Sequence, residues 1–225
     1  MSSESANVYE TSTETLFLGR QDAMQRTALL PLRASERPIK RILEVACGTG
    51  RFGTFIRDNY PTSQLTSVDL SPFYLDAARK NDVYWRNMRA SSIGSTGNTP
   101  PSTCVQAAAE ALPFEDASFD AVVCVYLFHE MPSDARARAA AEMSRVLAPG
   151  GALAFTDSVQ RGDRPPLDDR LVNFSDLNEP HYEDYIQSDL GNYFESTGLI
   201  PGGKWVASTS KTLGFTKPTK PLDQP

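Results

Sequence analysis

Apolar residues recur along the chain in short unbroken runs, and stretches with helical spacing lie between them. Arg41 to Ala46 is the first such run, and Phe52, Phe55 and Ile56 then fall on one face of a helix. Leu65 to Val68 reads as a second strand. Ser71-Pro72 opens the next helix, with serine as cap and proline at the first helical position, and Leu75, Ala78 and Arg79 continue it. Thr103 to Gln106 predicts a weak third strand. Ala121 to Val125 predicts a strong fourth, apolar throughout, as a strand buried on both faces of a parallel sheet should be. Ser133 is expected to cap a helix carrying Ala139, Ala140, Met143, Val146 and Leu147, and Pro149-Gly150-Gly151 to stop it. Ala152 to Thr156 is the fifth strand. Strand and helix alternate, which gives an α/β fold.

The flanks are less regular. Thr15 to Leu32 places Leu16, Phe17, Met24, Leu29 and Leu30 in a helix-like arrangement able to fold over a crevice, so residues 1–38 read as a helical cover. Residues 39–159 form the α/β core. Within it, 90–102 is rich in glycine, proline, serine and threonine and reads as a flexible surface insertion. Residues 160–187 read as an irregular cover, with Pro165, Pro166, Asp168 and Asp169 among its polar positions. Residues 188–217 supply a helix over Ser188 to Ser196 and a hairpin of Trp205 to Thr209 with Thr212 to Thr216, an antiparallel edge for the sheet. Residues 218–225 are a tail.

Composition excludes several classes. A length of 225 residues is enough to bury a substantial core, and a net charge of −6 provides no basic face for nucleic acid. Cys47, Cys104 and Cys124 form no Cys-x-x-Cys pair, and no histidine stands at metal-ligand spacing, so neither disulfides nor a metal site is expected. The cysteines read as small apolar fillers. No apolar run reaches the roughly 20 residues that span a bilayer, and Met1 to Thr15 lacks the pattern of a secretory signal. A soluble, cytoplasmic monomer or dimer is the expectation.

The chemistry begins where the first strand ends. Glu44-Val45-Ala46-Cys47-Gly48-Thr49-Gly50 turns the chain from strand into helix, so that backbone N–H groups face a ligand. Asp69 closes the second strand 69 − 50 = 19 positions beyond Gly50, the usual place for an acid that binds ribose hydroxyls. Gly48-Thr49-Gly50-Arg51-Phe52-Gly53 also satisfies Gly-x-Gly-x-x-Gly, which by itself permits a nicotinamide dehydrogenase. Glu44 argues against that alternative, because a carboxylate beside the loop suits a cationic ligand head and not a pyrophosphate.

Three further blocks decide the resemblance: Ala109-Glu110-Ala111-Leu112-Pro113-Phe114, Phe119-Asp120-Ala121-Val122-Val123, and Arg145-Val146-Leu147-Ala148-Pro149-Gly150-Gly151. With the glycine turn, in this order, they resemble the class I S-adenosylmethionine-dependent methyltransferases, in the branch of ubiquinone/menaquinone-type C-methyltransferases. The resemblance covers Arg41 to Asp157. It implies a Rossmann-like, seven-stranded, mostly parallel sheet with helices on both faces and an antiparallel edge strand, and S-adenosylmethionine lying across the first, second and fourth strands. It implies that the loop of Gly48 and Gly50 packs against the methionyl part, that Ala46 is among the cofactor-binding residues, and that Glu44 holds the loop and the amino group. Asp69 corresponds to the ribose acid, Leu70 packs on adenine, Ala109 and Glu110 border its edge, and the Val125 carbonyl faces the amino group. Ala108 departs from the family, which usually has Asp or Asn there to reach the adenine amine.

A sulfonium methyl is already electrophilic, so such an enzyme aligns a nucleophile and excludes water. Where the acceptor must lose a proton, His129 and Asp157 are the candidate catalytic residues, with Tyr126 and Glu130 beside them. His181, Tyr182 and Tyr185 are candidates for the acceptor side. The absence of Asn-Pro-Pro-Tyr or Asp-Pro-Pro-Tyr disfavours nucleobase and glutamine acceptors, which leaves a small-molecule acceptor. A non-catalytic S-adenosylmethionine-binding protein is the other alternative.

Overall fold

The computed structural model describes residues 3–91, 99–171 and 179–219. Seven strands form one sheet: β1 (Arg41–Val45), β2 (Gln64–Asp69), β3 (Thr103–Gln106), β4 (Phe119–Val125), β5 (Leu147–Ser158), β6 (Ile200–Ala207) and β7 (Ser210–Thr216). The described helices are α1 (Ser3–Leu16), α2 (Gln21–Arg26), α3 (Arg51–Asn59), α4 (Pro72–Ala90), α5 (Ser133–Val146), α6 (Asp168–Leu171), α7 (Tyr182–Gln187) and α8 (Leu190–Glu195). The strand order is β3-β2-β1-β4-β5-β7-β6; β1 to β5 pair in parallel, and β7 runs antiparallel between β5 and β6.

The apolar runs hide an alternation that decides which helix packs where. Ile42, Ala121, Val123, Ala152 and Ala154 face one side, with Phe52, Phe55 and Ile56 of α3 and with Ala28 and Leu32 of the N-terminal segment. Leu43, Val45, Val122, Leu153 and Phe155 face the other, under α5, α7 and α8. The second face is braced by aromatic rings. Phe128 lies 4.4 Å from Phe155 and 5.7 Å from Phe194, centroid to centroid, and Phe194 lies 4.9 Å from Phe215. Pairs of this kind add about 0.5–1.5 kcal/mol each beyond the area they bury.

Asp120 explains one of the sequence blocks. Its Oδ2 accepts the backbone N–H of Lys40 and of Arg41, both at 2.9 Å, and Arg37 pairs with its Oδ1 at 3.0 Å. A carboxylate on β4 thus fixes the entry of β1.

Several boundaries differ from the sequence reading. Ser133 is the first residue of α5 and not its cap; Pro132 stands at the cap, and the Ser133 hydroxyl pairs with Tyr193 at 2.7 Å. Pro149-Gly150-Gly151 does not stop the helix, which ends at Val146, but lies inside β5. There the Gly150 N–H donates to the Lys217 carbonyl at 2.7 Å, and Lys217 Nζ donates to the carbonyls of Ser144 and Leu147, satisfying the end of α5. The N-terminal segment breaks at Leu18 and Gly19, with φ of 53° and 73°, and α2 follows. The 160–187 cover is not wholly irregular, because it holds a 3-10 turn at Pro165–Leu167, α6 and α7, and Tyr182, Tyr185 and Ile186 are buried in the core. Most of the 90–102 insertion, residues 92–98, lies outside the described residues, as do 172–178 of the cover and 220–225 of the tail. Among the described residues no helix is long and apolar enough to cross a membrane.

Gly151 is the tightest glycine in this frame. A Cβ there would lie 2.7 Å from the Asp120 carbonyl oxygen and 2.8 Å from that of Ala148, both backbone atoms that cannot move aside. Gly151→Ala is expected to cost about 1–3 kcal/mol in urea unfolding. Gly202→Ala, whose Cβ would meet nothing nearer than 3.6 Å, should stay within about 0.5 kcal/mol.

Candidate active site

β1 has β2 on one side and β4 on the other, and the chain reaches them in opposite directions, so a crevice opens beyond the carboxyl ends of these strands. Two turns frame it. After β1, Ala46 takes φ 57°, and after β4 Tyr126 takes φ 57°, both left-handed without being glycine. Such backbone costs about 1–3 kcal/mol per residue and persists only where the surroundings hold it.

The carboxylates do the holding. Asp69 Oδ2 accepts the Gly48 N–H and Oδ1 the Ser71 N–H, each at 2.9 Å. Across the crevice, Asp157 Oδ2 accepts the N–H of Phe128 at 2.8 Å and of Leu127 at 3.2 Å, and Oδ1 that of Ser158 at 2.8 Å. The Tyr126 hydroxyl meets Ser210 at 2.6 Å, and Phe17 stacks over the Tyr126 ring at 6.2 Å.

Between the turns lies a cleft of about 520 Å³. Glu44, Ala46, Gly48 and Asp69 line it from the first two strands, and Leu70, Ala109, Glu110 and Val125 complete the wall. Gly50 does not line it. It caps α3 with φ 78°, and a Cβ there would lie 3.1 Å from Ala78 Cα, so its bareness lets α3 and α4 approach. Gly53 likewise serves packing, because its missing Cβ would stand 3.1 Å from Glu44 Oε2.

Glu44 is 2% exposed. Its Oε2 accepts from the Ser67 hydroxyl at 2.9 Å, while Oε1 has no partner among the described residues. Burial pushes its pKa up to about 7; the Asp69 charge adds to this, while Ser67, the Gly53 N–H and Arg57 oppose it. Burial also raises the Asp69 pKa, against the pull of its backbone donors. Leu70, by contrast, is 62% exposed, an apolar side chain left open at the mouth.

The loop carrying Ala108, Ala109 and Glu110 is held by α5. Arg145 donates to the carbonyls of Phe114 at 2.7 Å and Leu112 at 3.0 Å, and Glu142 accepts the Leu112 N–H at 2.8 Å. Two separate sequence blocks are therefore one device. Ala108 lines the cleft and offers no side-chain donor or acceptor.

His129 and Asp157 do not line the cleft. Asp157 is fully buried, spends its oxygens on three backbone N–H groups, and meets His129 Nδ1 at 2.6 Å. That position makes it an anchor and not a free base. Burial pulls the His129 pKa down, but the charge and hydrogen bond of Asp157, aided by Glu130 and Glu179, outweigh it and lift the pKa to about 9. Such a ring is already protonated at neutrality, which corrects the expectation of a base poised near pH 7. Tyr126 and Glu130 do reach the cleft. Tyr182 and Tyr185 are core residues, Tyr185 donating to the Ser158 carbonyl, and His181 offers its carbonyl to Arg136.

Several wall residues gave no sequence signal. Gln25 comes from α2, which the bidentate pair of Arg51 with Asp22 ties to α3. Leu127, Met131, Pro132 and Ala135 form an apolar end beyond β4.

Residues 42–151 match the family model described as Methyltransferase domain. A demethylmenaquinone methyltransferase of Thermus thermophilus is 32% identical over 157 residues, which cover 70% of this chain and 64% of that one. The class I S-adenosylmethionine-dependent methyltransferases are the family to which this chain belongs. A fatty-acid O-methyltransferase of Mycolicibacterium smegmatis is 30% identical over 135 residues, covering 60% of this chain and 43% of that one. The chain thus spans less than two thirds of either curated relative. A solved methyltransferase of Methanosarcina mazei shares the fold, with a TM-score of 0.63 over 84% of this chain and 97% of that one at 17% identity. S-adenosylmethionine is the cofactor of this methyltransferase family, so the nicotinamide alternative falls away.

The Glu44 carboxyl makes the stability of this chain depend on pH. Its folded pKa of about 7 exceeds the ordinary 4.5, so the favourable contribution is complete below about pH 4.5 and is lost as pH rises through 7. Ligand-free Glu44→Gln should therefore unfold at higher urea than the parent at pH 8, by up to about 3 kcal/mol, with the gap closing toward pH 4.5. A gap that does not change with pH contradicts the assignment.

Proposed function

We propose that this chain transfers a methyl group from S-adenosylmethionine to an apolar small-molecule acceptor in the cleft. One observation carries the reading. A buried carboxylate with an oxygen unpartnered among the described residues (Glu44), a second carboxylate already bracing the glycine turn (Asp69) and an exposed leucine (Leu70) border the same space of about 520 Å³. These suit, in turn, an ammonium group, a ribose and an adenine face.

The bound cofactor supplies an electrophilic sulfonium methyl. The chain's own residues do the rest. Glu44 Oε1 is the acceptor for the amino group, and a cation there would draw the Glu44 proton off. Asp69 retains lone pairs beyond those its two N–H donors use, so it can accept ribose hydroxyls without releasing the turn. Ala46, Gly48 and Val125 present bare or short side chains, which admit the ligand to the backbone. Ala108 leaves the adenine amine to backbone groups or water. Phe17 stacks on Tyr126, and Tyr126 and Gln25 line the cleft.

The acceptor end is mostly apolar. Leu127, Met131, Pro132 and Ala135 wall it, with Glu130 and Arg138 as its charged residues. An acceptor with an apolar body and one oxygen or activated carbon nucleophile fits these walls. Relatives named for demethylmenaquinone and for fatty acids support that class.

Asp69→Ala should weaken S-adenosylhomocysteine binding by about 1–3 kcal/mol in calorimetry, the worth of a charge-assisted hydrogen bond. Unchanged affinity removes the cofactor assignment. With methyl-labelled S-adenosylmethionine and pools of quinols, phenols and fatty acids, label should pass to a solvent-extractable product. Tight cofactor binding with no transfer to any pool would instead favour a non-catalytic binding protein.

A further inference from the structure

One imidazole and two carboxylates meet beside the acceptor end of the cleft. His129 and Glu130 belong to the 3-10 turn after β4, and Glu179 lies just before α7. One donor atom from each lies within 4.8 Å of the other two. The separation of 179 − 130 = 49 positions explains why no spacing in the sequence announced the group.

The ring is set up from behind. Asp157 Oδ1 holds His129 Nδ1 at 2.6 Å, and Nε2 then faces Glu130, whose Oε1 is 3.7 Å away. A carboxylate that fixes one ring nitrogen and aims the other is the usual support of a metal-binding histidine. Asp157 cannot swing away, because its backbone donors from Leu127, Phe128 and Ser158 hold it. On the far side, Glu179 Oε2 is shut off from solvent and has no hydrogen-bond partner among the described residues. Three carboxyl groups thus surround a single imidazole. Arg136 pairs with Asp184 at 2.7 Å and Lys211 with Asp163 at 2.9 Å.

We propose that His129, Glu130 and Glu179 bind a first-row divalent cation, with Asp157 as the orienting residue and the His129 Nε2 proton released to water as the cation binds. One nitrogen and two oxygens suit Zn²⁺ or Mn²⁺ better than Mg²⁺, which favours oxygen ligands and its own water. Three protein ligands leave coordination positions open. Glu130 also lines the cleft, so a cation there would border it. Such a cation would supply Lewis acidity to an acceptor oxygen, whose proton would pass to water. That use of the ion rests on the function proposed above; ion binding itself does not.

The test is calorimetric titration of chelator-treated protein with Mn²⁺ and with Zn²⁺, with S-adenosylhomocysteine titrated into the same samples. One equivalent of cation is expected, with affinity at least tenfold weaker in Glu179→Gln and in His129→Ala, and 10–100-fold weaker in Asp157→Asn. Mn²⁺ guards against capture by the cysteines. If His129→Ala fails to fold, as its melting curve would show, Glu179→Gln at a half-buried position still decides. No cation binding, or binding unchanged in Glu179→Gln, overturns the proposal. S-adenosylhomocysteine binding without cation binding sinks this site and leaves the cofactor reading standing; the reverse result does the opposite.

Discussion

Two backbone N–H groups, of Gly48 and Ser71, converge on the carboxylate of Asp69. The first belongs to the turn after β1 and the second opens α4, so one side chain sets the distance between two elements that border the cleft. Charge-assisted bonds of this kind are about twice as strong as neutral ones. They also outlast the strain of the left-handed Ala46 that precedes Gly48. The same carboxylate that suits a ribose is therefore first a brace.

Asp157 repeats the device on the other side. It stands near the end of β5, beside β4, as Asp69 stands at the end of β2, beside β1. Each accepts N–H groups from the turn after its neighbouring strand, and each of those turns contains a left-handed non-glycine residue, Ala46 or Tyr126. The cleft is framed by two carboxylate-braced turns facing each other across the point where the strand order reverses. The first brace sits where the proposed cofactor site lies. The second supports His129 and, through the 3-10 turn, Glu130.

The α/β alternation and the terminal hairpin were legible in the sequence, because apolar runs of strand length and a serine-proline helix start are local signals. The turn after β1 and its aspartate were legible for the same reason, since Glu44, the glycines and Asp69 lie within 69 − 44 = 25 positions. What escaped depends on partners far away in the chain. Gly50 looked like a ligand glycine, but Ala78 on α4 explains it. Arg145 and the Leu112 to Phe114 stretch looked like separate blocks, although hydrogen bonds join them across 145 − 112 = 33 positions. His129 looked like a base from its ordinary pKa, and only the buried Asp157 against its ring reverses that. The stop expected at Pro149-Gly150-Gly151 failed because Lys217, from the other end of the molecule, finishes α5 and lets β5 begin at once.

Glu44 and Leu70 leave two groups unmatched at the cleft: one oxygen buried without a hydrogen-bond partner among the described residues, and one apolar side chain exposed. Each is a local cost that a ligand of the right polarity removes. A crystal structure with S-adenosylhomocysteine measures this most directly. The account predicts the ribose hydroxyls on Asp69, the adenine against Leu70 and the amino group at Glu44. A ligand bound outside this cleft, or reversed within it so that adenine lies toward Tyr126, would contradict it.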